Sequence, residues 1–240
     1  VVDDEVLTIN PDNRAAIQLR TYWKTSPCIF IDLPRRQRCI NTMTTSLDRL
    51  RQGIQASIDT KQRLLQDEAL LARVEGVIDA IEAALRRGNR VIFAGNGGSA
   101  ADAQHLAAEF VSRFEFDRPG LPSLSLATDT SMLTAIGNDY GYEKLFLRQL
   151  QAQARAGDVF VGITTSGKSP NVLAAFAACP ALGVTSVALC GTGGALEGVD
   201  HVLRAPSGHT PRIQESHILI GHMICAEIEL RLFAELAPKK

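Results

Sequence analysis

Between residues 91 and 236, short apolar runs alternate with longer stretches of helical period, and this alternation constrains the chain more than any other feature. Val91-Ile92-Phe93-Ala94, Leu124-Ser125-Leu126-Ala127, Asp158-Val159-Phe160-Val161-Gly162-Ile163, Thr185-Ser186-Val187-Ala188-Leu189 and His201-Val202-Leu203-Arg204 read as five strands. Each is too short for a stable helix, and most carry apolar residues without a polar alternate, as strands buried on both faces do. Helices are expected between them: from the glycine loop to about Phe114, near Ser131–Ile136, over Tyr142–Gln153 and over Pro170–Ala178. A long amphipathic helix over about Pro211–Leu236 follows. Strands separated by helices cannot pair as hairpins, so they run parallel with helices on both faces. The expected fold is α/β: a three-layer α/β/α sandwich with a five-stranded, doubly wound parallel sheet.

Two further helices precede the first strand. Leu47, Leu50, Ile54 and Ile58 follow Ser46 at helical spacing. Leu70, Leu71, Val74, Val77, Ile78, Ile81 and Leu85 form a second stripe that ends at Arg86-Arg87-Gly88, with cations in the last turn and then a glycine cap. Residues 1–42 show no sustained period. They hold the only tryptophan, Trp23, and the basic stretch Arg35-Arg36-Gln37-Arg38. Met43-Thr44-Thr45-Ser46 reads like a protein start, so 1–42 is expected to be a variable extension and 43–240 a single domain.

The 240-residue chain has a formal net charge of -1, which leaves no global basic field for nucleic acid or an anionic membrane surface. No apolar run approaches the roughly 18 residues that span a bilayer. The 5 cysteines, Cys28, Cys39, Cys179, Cys190 and Cys225, are scattered and contain no C-x-x-C pair. With an acidic start in place of a secretory leader, a reducing, cytoplasmic setting is expected.

In parallel sheets ligands bind beyond the carboxyl ends of the strands, and two loops there carry chemistry. Gly95-Asn96-Gly97-Gly98-Ser99-Ala100-Ala101-Asp102 joins the first strand to a helix. Its glycines allow close backbone approach, and the helix start offers N–H groups to an anion. Thr164-Thr165-Ser166-Gly167-Lys168-Ser169-Pro170-Asn171 follows the third strand, with four hydroxyls in six positions, a set suited to a phosphate monoester. The glycine loop also fits the dinucleotide fingerprint, but the strand-end acid such a site wants, Asp129, comes about ten positions late. A dinucleotide fold needs no second hydroxyl loop, so a phosphorylated small molecule is the better reading.

His105 and Glu109 stand at i and i+4 on the helix that the glycine loop opens. Gln214 and His222 lie two turns apart on the last helix, about 80° around its axis. Imidazole, carboxylate and amide oxygen suit a borderline divalent cation such as zinc. By pattern alone His217 is an equal candidate to His222.

These residues carry a resemblance. Ala94 through His105 to Glu109, the run Ala135-Ile136-Gly137-Asn138-Asp139-Tyr140-Gly141, the loop Thr165–Asn171 and the stretch Arg212-Ile213-Gln214-Glu215-Ser216-His217 to His222 resemble the phosphoheptose isomerases of the sugar isomerase (SIS) domain superfamily. The likeness spans roughly Leu47 to Phe233. It implies a SIS-type sheet, a long C-terminal helix used in oligomer packing, and a homotetramer with active sites between subunits. It implies one zinc per subunit on His105, Glu109, Gln214 and His222. It implies substrate contacts at Asn96, Gly97, Gly98, Ser99, Glu109, Asn138, Asp139, Thr165, Ser166, Ser169 and Gln214. Thr164 stands where the family often has serine, and Asp102 matches a position near the site. The activity implied is isomerisation of D-sedoheptulose 7-phosphate to D-glycero-D-manno-heptose 7-phosphate through a cis-enediol, toward lipopolysaccharide or surface heptose, with Glu109 and His222 as the catalytic pair. The alternative is a non-catalytic module of the same fold, either a phosphosugar sensor or a replication-initiator-associating adaptor, a group in which the metal set is eroded; here all four positions are filled.

Overall fold

The computed structural model describes residues 44–238. The expected extension at 1–42 lies outside the described residues. From Ser46 onward the chain forms one compact unit. Two helices come first, α1 (Ser46–Leu65) and α2 (Glu68–Arg86). Then follow β1 (Val91–Gly95), α3 (Gly98–Val111), β2 (Ser123–Ser125), α4 (Thr130–Tyr140), a 3-10 turn (Tyr142–Lys144) and α5 (Leu145–Gln153). β3 (Val159–Thr164), α6 (Pro170–Leu182), β4 (Thr185–Cys190), β5 (His201–Arg204) and α7 (Thr210–Phe233) complete the layers.

The five strands form a single parallel sheet in the order β2-β1-β3-β4-β5. Alternate residues of each strand feed two cores, which is why the strands read as unbroken apolar runs. Val91, Phe93, Val159, Val161, Ile163, Val187, Leu189 and Leu203 pack against the face covered by α2, α3 and α7. Ile92, Ala94, Phe160, Ala188 and Cys190 pack against the face covered by α4, α5 and α6. Gly162 lies on that second face, where a methyl would collide with Phe176 and Val172, so α6 seats directly on β3.

Two boundaries differ from the sequence expectation. The second strand stops at Ser125, because the Ser125 hydroxyl accepts from Ala127 N and its carbonyl accepts from Thr128 Oγ1, turning the chain. α6 runs on to Leu182 through Pro180 and ends only at Gly183, whose φ of +65° is the left-handed cap. Pro180 removes one helical donor, the N–H that would meet the Phe176 carbonyl, and the helix continues only two residues beyond it.

Candidate active site

The sheet reverses direction of growth between β1 and β3: the chain passes from β1 outward to β2, then returns to β3 on the other side. A crevice opens beyond the carboxyl ends of two such strands. β1 and β3 pair from Val91↔Val159 to Gly95↔Ile163, so the glycine loop and the hydroxyl loop leave the sheet side by side. No side chain caps the start of α3 or of α6, and α7 is also uncapped. By contrast, α2 and α4 are capped by Asp67 and Asp129. At α3 the loop backbone already takes Ser99 N and Ala100 N. At α6 Pro170 has no N–H, while Val172 N goes to Ser169 O and Asn171 Oδ1. What favours an anion at both starts is therefore the positive end of the helix dipole. Asp129 has a capping job in place of a ribose contact: its carboxylate accepts from Met132 N at 2.8 Å.

The loops are braced to each other. Asn96 and Asn171 form a reciprocal amide pair, each Nδ2 donating to the other's Oδ1 at 2.8 Å. Tyr142 OH donates to Asn96 Oδ1 at 2.8 Å, and Val172 N donates to Asn171 Oδ1. Thr164 and Ser169 join their hydroxyls at 2.9 Å across the base of the hydroxyl loop. Ser166 Oγ accepts from Lys168 N, and the Ser166 side chain is exposed at the rim. Gly167, at φ +65°, lies flat on the Gly193-Gly194 backbone, where a Cβ would meet the Gly193 carbonyl at 2.7 Å. Arg204 holds that backing segment by donating to the carbonyls of Gly191, Gly193 and Gly194.

Further along α3, His105 and Glu109 project toward His222 on α7. His105 Nε2 stands 2.9 Å from His222 Nε2 and 3.2 Å from Glu109 Oε1. One ligand atom from each of the three lies within 4.8 Å of the others. Tetrahedral zinc ligands at about 2.0–2.1 Å stand roughly 3.3 Å apart, so these donors fit a divalent ion. Burial lowers the His222 imidazole below its usual value and His105 adds to this, while Glu109 opposes it. A lowered value keeps the ring neutral, the form that binds metal or accepts a proton. Asp102, one turn before His105, has a carboxylate oxygen that is buried without a hydrogen-bond partner, and burial raises its pKa against the pull of His105.

Several expected residues sit elsewhere. Gln214 packs its amide against Gly98 at the start of α3. It lies eight residues from His222, about 12 Å along α7. Asn138 and Asp139 occupy the exposed last turn of α4, with Asn138 Nδ2 donating to Asp139 Oδ1 at 2.8 Å. Ser99 and Thr164 are buried beneath their loops. Gly97, at φ +57°, caps α3, and Thr165 is half-buried with its carbonyl accepting from Gly191 N. His217 turns away from the His105 group: it is fully buried near the end of β4, and neither ring nitrogen makes a well-formed hydrogen bond. The sequence reading missed Tyr142, Arg204 and Phe114, and gave Asn171 no role beyond its place in the loop. Their partners are distant in the chain, so no local pattern marks them.

Residues 54–191 match the SIS domain family. The phosphoheptose isomerase of Aneurinibacillus thermoaerophilus is 56% identical over 188 residues, covering 78% of this chain and 95% of that protein. That of Burkholderia pseudomallei strain 1710b is 58% identical over 174 residues, covering 72% and 88%. Among solved structures, a phosphoheptose isomerase from Francisella tularensis superposes with a TM-score of 0.72 at 36% identity, covering 77% of this chain and 98% of that one. One from Neisseria gonorrhoeae superposes with a TM-score of 0.70 at 38% identity, covering 77% and 99%. A parallel sheet in this order, a crevice flanked by two anion loops, and relatives alike over nearly their full length place the chain in the SIS domain family, among its phosphoheptose isomerase enzymes.

Proposed function

We propose that this enzyme converts D-sedoheptulose 7-phosphate to D-glycero-D-manno-heptose 7-phosphate through a cis-enediol, in the cytoplasm, as a step toward lipopolysaccharide or related surface heptose. The observation that carries the reading is the joining of an anion crevice to a carboxylate–imidazole cluster by a single helix, α3. His105 is seven residues beyond Gly98, about 10 Å along that helix. A seven-carbon sugar phosphate held by its phosphate at the hydroxyl loop therefore extends its C1–C2 end toward Glu109. Thr165, Ser166 and Ser169, with the start of α6, take the phosphate; Asn96, Gly97, Gly98 and Ser99, with Asn138 and Asp139, line the sugar. Remote binding of this kind positions the reacting carbons.

Glu109 removes the proton from one carbon and returns it to the neighbour, while the neutral His222 imidazole moves the hydroxyl proton. His105, Glu109 and His222 would hold a zinc ion, one per subunit, which would supply positive charge near the reacting carbons when the two proton-moving groups are free of it. Gln214 contacts the sugar beside Gly98 in its own chain and completes the metal set of a neighbouring subunit in a homotetramer. The exposed face of α1, with Leu47, Leu50, Ile54 and Ile58, is apolar as a helix that packs on another copy would be. Residues 43–240 carry this activity as one domain, with 1–42 as an extension outside it. Among the described residues no helix is long and apolar enough to cross a membrane, and Cys179, Cys190 and Cys225 are buried free thiols, in keeping with a reducing setting.

The test is a heptose phosphate interconversion assay in deuterated water. Wild-type protein should turn over and wash solvent deuterium into C1 or C2. Glu109→Gln, which keeps the shape and removes the base, should lower kcat by at least about a hundredfold with the fold intact. Protein that binds a replication initiator and leaves the heptulose phosphate untouched supports the adaptor reading instead.

A further inference from the structure

The segment that leaves α3 carries a ring against one member of the reacting pair. Phe114 packs with its centroid 5.1 Å from that of His222, tilted by 33°. Its backbone is held by Glu229, seven residues beyond His222 on α7: Phe114 N donates to Glu229 Oε1 at 2.6 Å and Glu115 N to Oε2 at 2.8 Å. Arg118 Nε donates to the same carboxylate at 2.9 Å, and each of these two side chains is only 1% exposed. The remaining guanidinium donors reach back to α3. Nη2 bonds the Glu109 carbonyl at 2.8 Å and Nη1 the Phe110 carbonyl at 2.6 Å, with further bonds to the carbonyls of Ser112 and Pro119. One buried ion pair therefore holds the backbone of Glu109 on one side and, through Phe114, the ring of His222 on the other.

A buried ion pair is a poor device for stability alone, because desolvation offsets most of the Coulomb gain and well-packed apolar residues often do as well. Apolar side chains do not supply directed bonds to named backbone groups. We infer that Arg118 and Glu229 are positioning residues for the reacting pair, fixing the last turn of α3 and the Phe114 ring so that Glu109 and His222 keep their mutual geometry. The inference rests on the assignment of the chemistry to Glu109 and His222. Misplacement by about 1 Å, even from a distant change, can lower a rate about a hundredfold.

The experiment compares wild type with Arg118→Met, Glu229→Gln, the double variant Arg118→Met/Glu229→Met, and Phe114→Leu, measuring kcat, KM and melting temperature on the full chain. The single ion-pair variants should melt lower, since each strands a polar group in the interior. The double variant should melt above the single variants, since no charge is left unpaired, yet below wild type, since the backbone groups of Phe114, Glu115, Glu109 and Phe110 lose their partners. Its kcat should stay about tenfold or more below wild type, with KM within about threefold. Phe114→Leu should lower kcat several-fold at a near-normal melting temperature, and Phe114→Tyr, which keeps the ring, should restore it. If the double variant regains kcat together with stability, the pair is structural only and the inference fails. Should the double variant not fold, wild-type kcat in Phe114→Leu overturns it equally. Wild-type protein that leaves the heptulose phosphate untouched removes the reading of the site itself, a result distinct from any change among the variants.

Discussion

At His217 an imidazole is held where a charge would be unfavourable. It is buried against the end of β4, and burial pushes its pKa down to about 4 from the usual 6.5, only partly opposed by the Cys190 backbone. The unfolded chain therefore takes up a proton between pH 6.5 and pH 4 that the folded chain refuses, so stability is full above 6.5 and falls as pH drops through that window. The shift corresponds to a loss of about 3 kcal/mol across it. His217→Leu should remove this slope: urea unfolding at pH 7.5 and pH 4.5 should show wild type losing about 2–3 kcal/mol more than the variant. An equal loss in the two proteins would mean that other groups set the acid limit. His222, five residues on, stands about 140° around α7 and meets His105 instead. One helix thus carries a fully buried histidine and a histidine of the His105–Glu109 cluster on different faces.

The helices that hold the His105, Glu109 and His222 cluster meet at a close approach. Gly221 faces Leu106, where a Cβ would lie 2.5 Å from Leu106 Cδ2, so α7 and α3 touch where glycine leaves room. Gly221→Val should force the helices apart and destabilise the protein by about 1–3 kcal/mol in denaturant titration. Zinc affinity, read by competition with a chelator, should fall with it, because His222 is the next residue and its distance from His105 is set by this contact. The layered fold was legible in the sequence because β1, β3 and β4 are buried on both faces and so carry apolar residues without interruption. Ser125 hid the end of β2, since its side-chain turn looks no different from a polar strand residue. The pairing of His105 with Glu109 was legible by spacing, but pattern alone left His217 equal to His222. The Asn96–Asn171 brace was out of reach altogether, its partners being 75 positions apart and joined only by the crossover through β2 and β3.

Across the whole molecule, the apolar face of α1 stands out. Leu47, Leu50, Ile54, Ile58 and Leu65 are each more than half exposed in a single chain, and of α1 only Thr60 and Leu64 are buried. A surface of that kind is covered when copies associate. The full chain should sediment as a tetramer, and Leu50→Glu/Ile54→Glu should shift it to smaller species. If Gln214 serves a neighbouring metal site, the dissociated variant should also bind zinc about tenfold or more weakly than the assembled protein. A monomeric wild type at micromolar concentration would sink this part of the account.

The paired amides that join the two loops are uncharged, and each is donor and acceptor at once. Nothing in that joint gains or loses a proton between weak acid and weak base, and dissolved ions have no charge there to shield. A tether of lysine and carboxylate would slacken with brine or acid. This one should keep the spacing of the two loops constant under either.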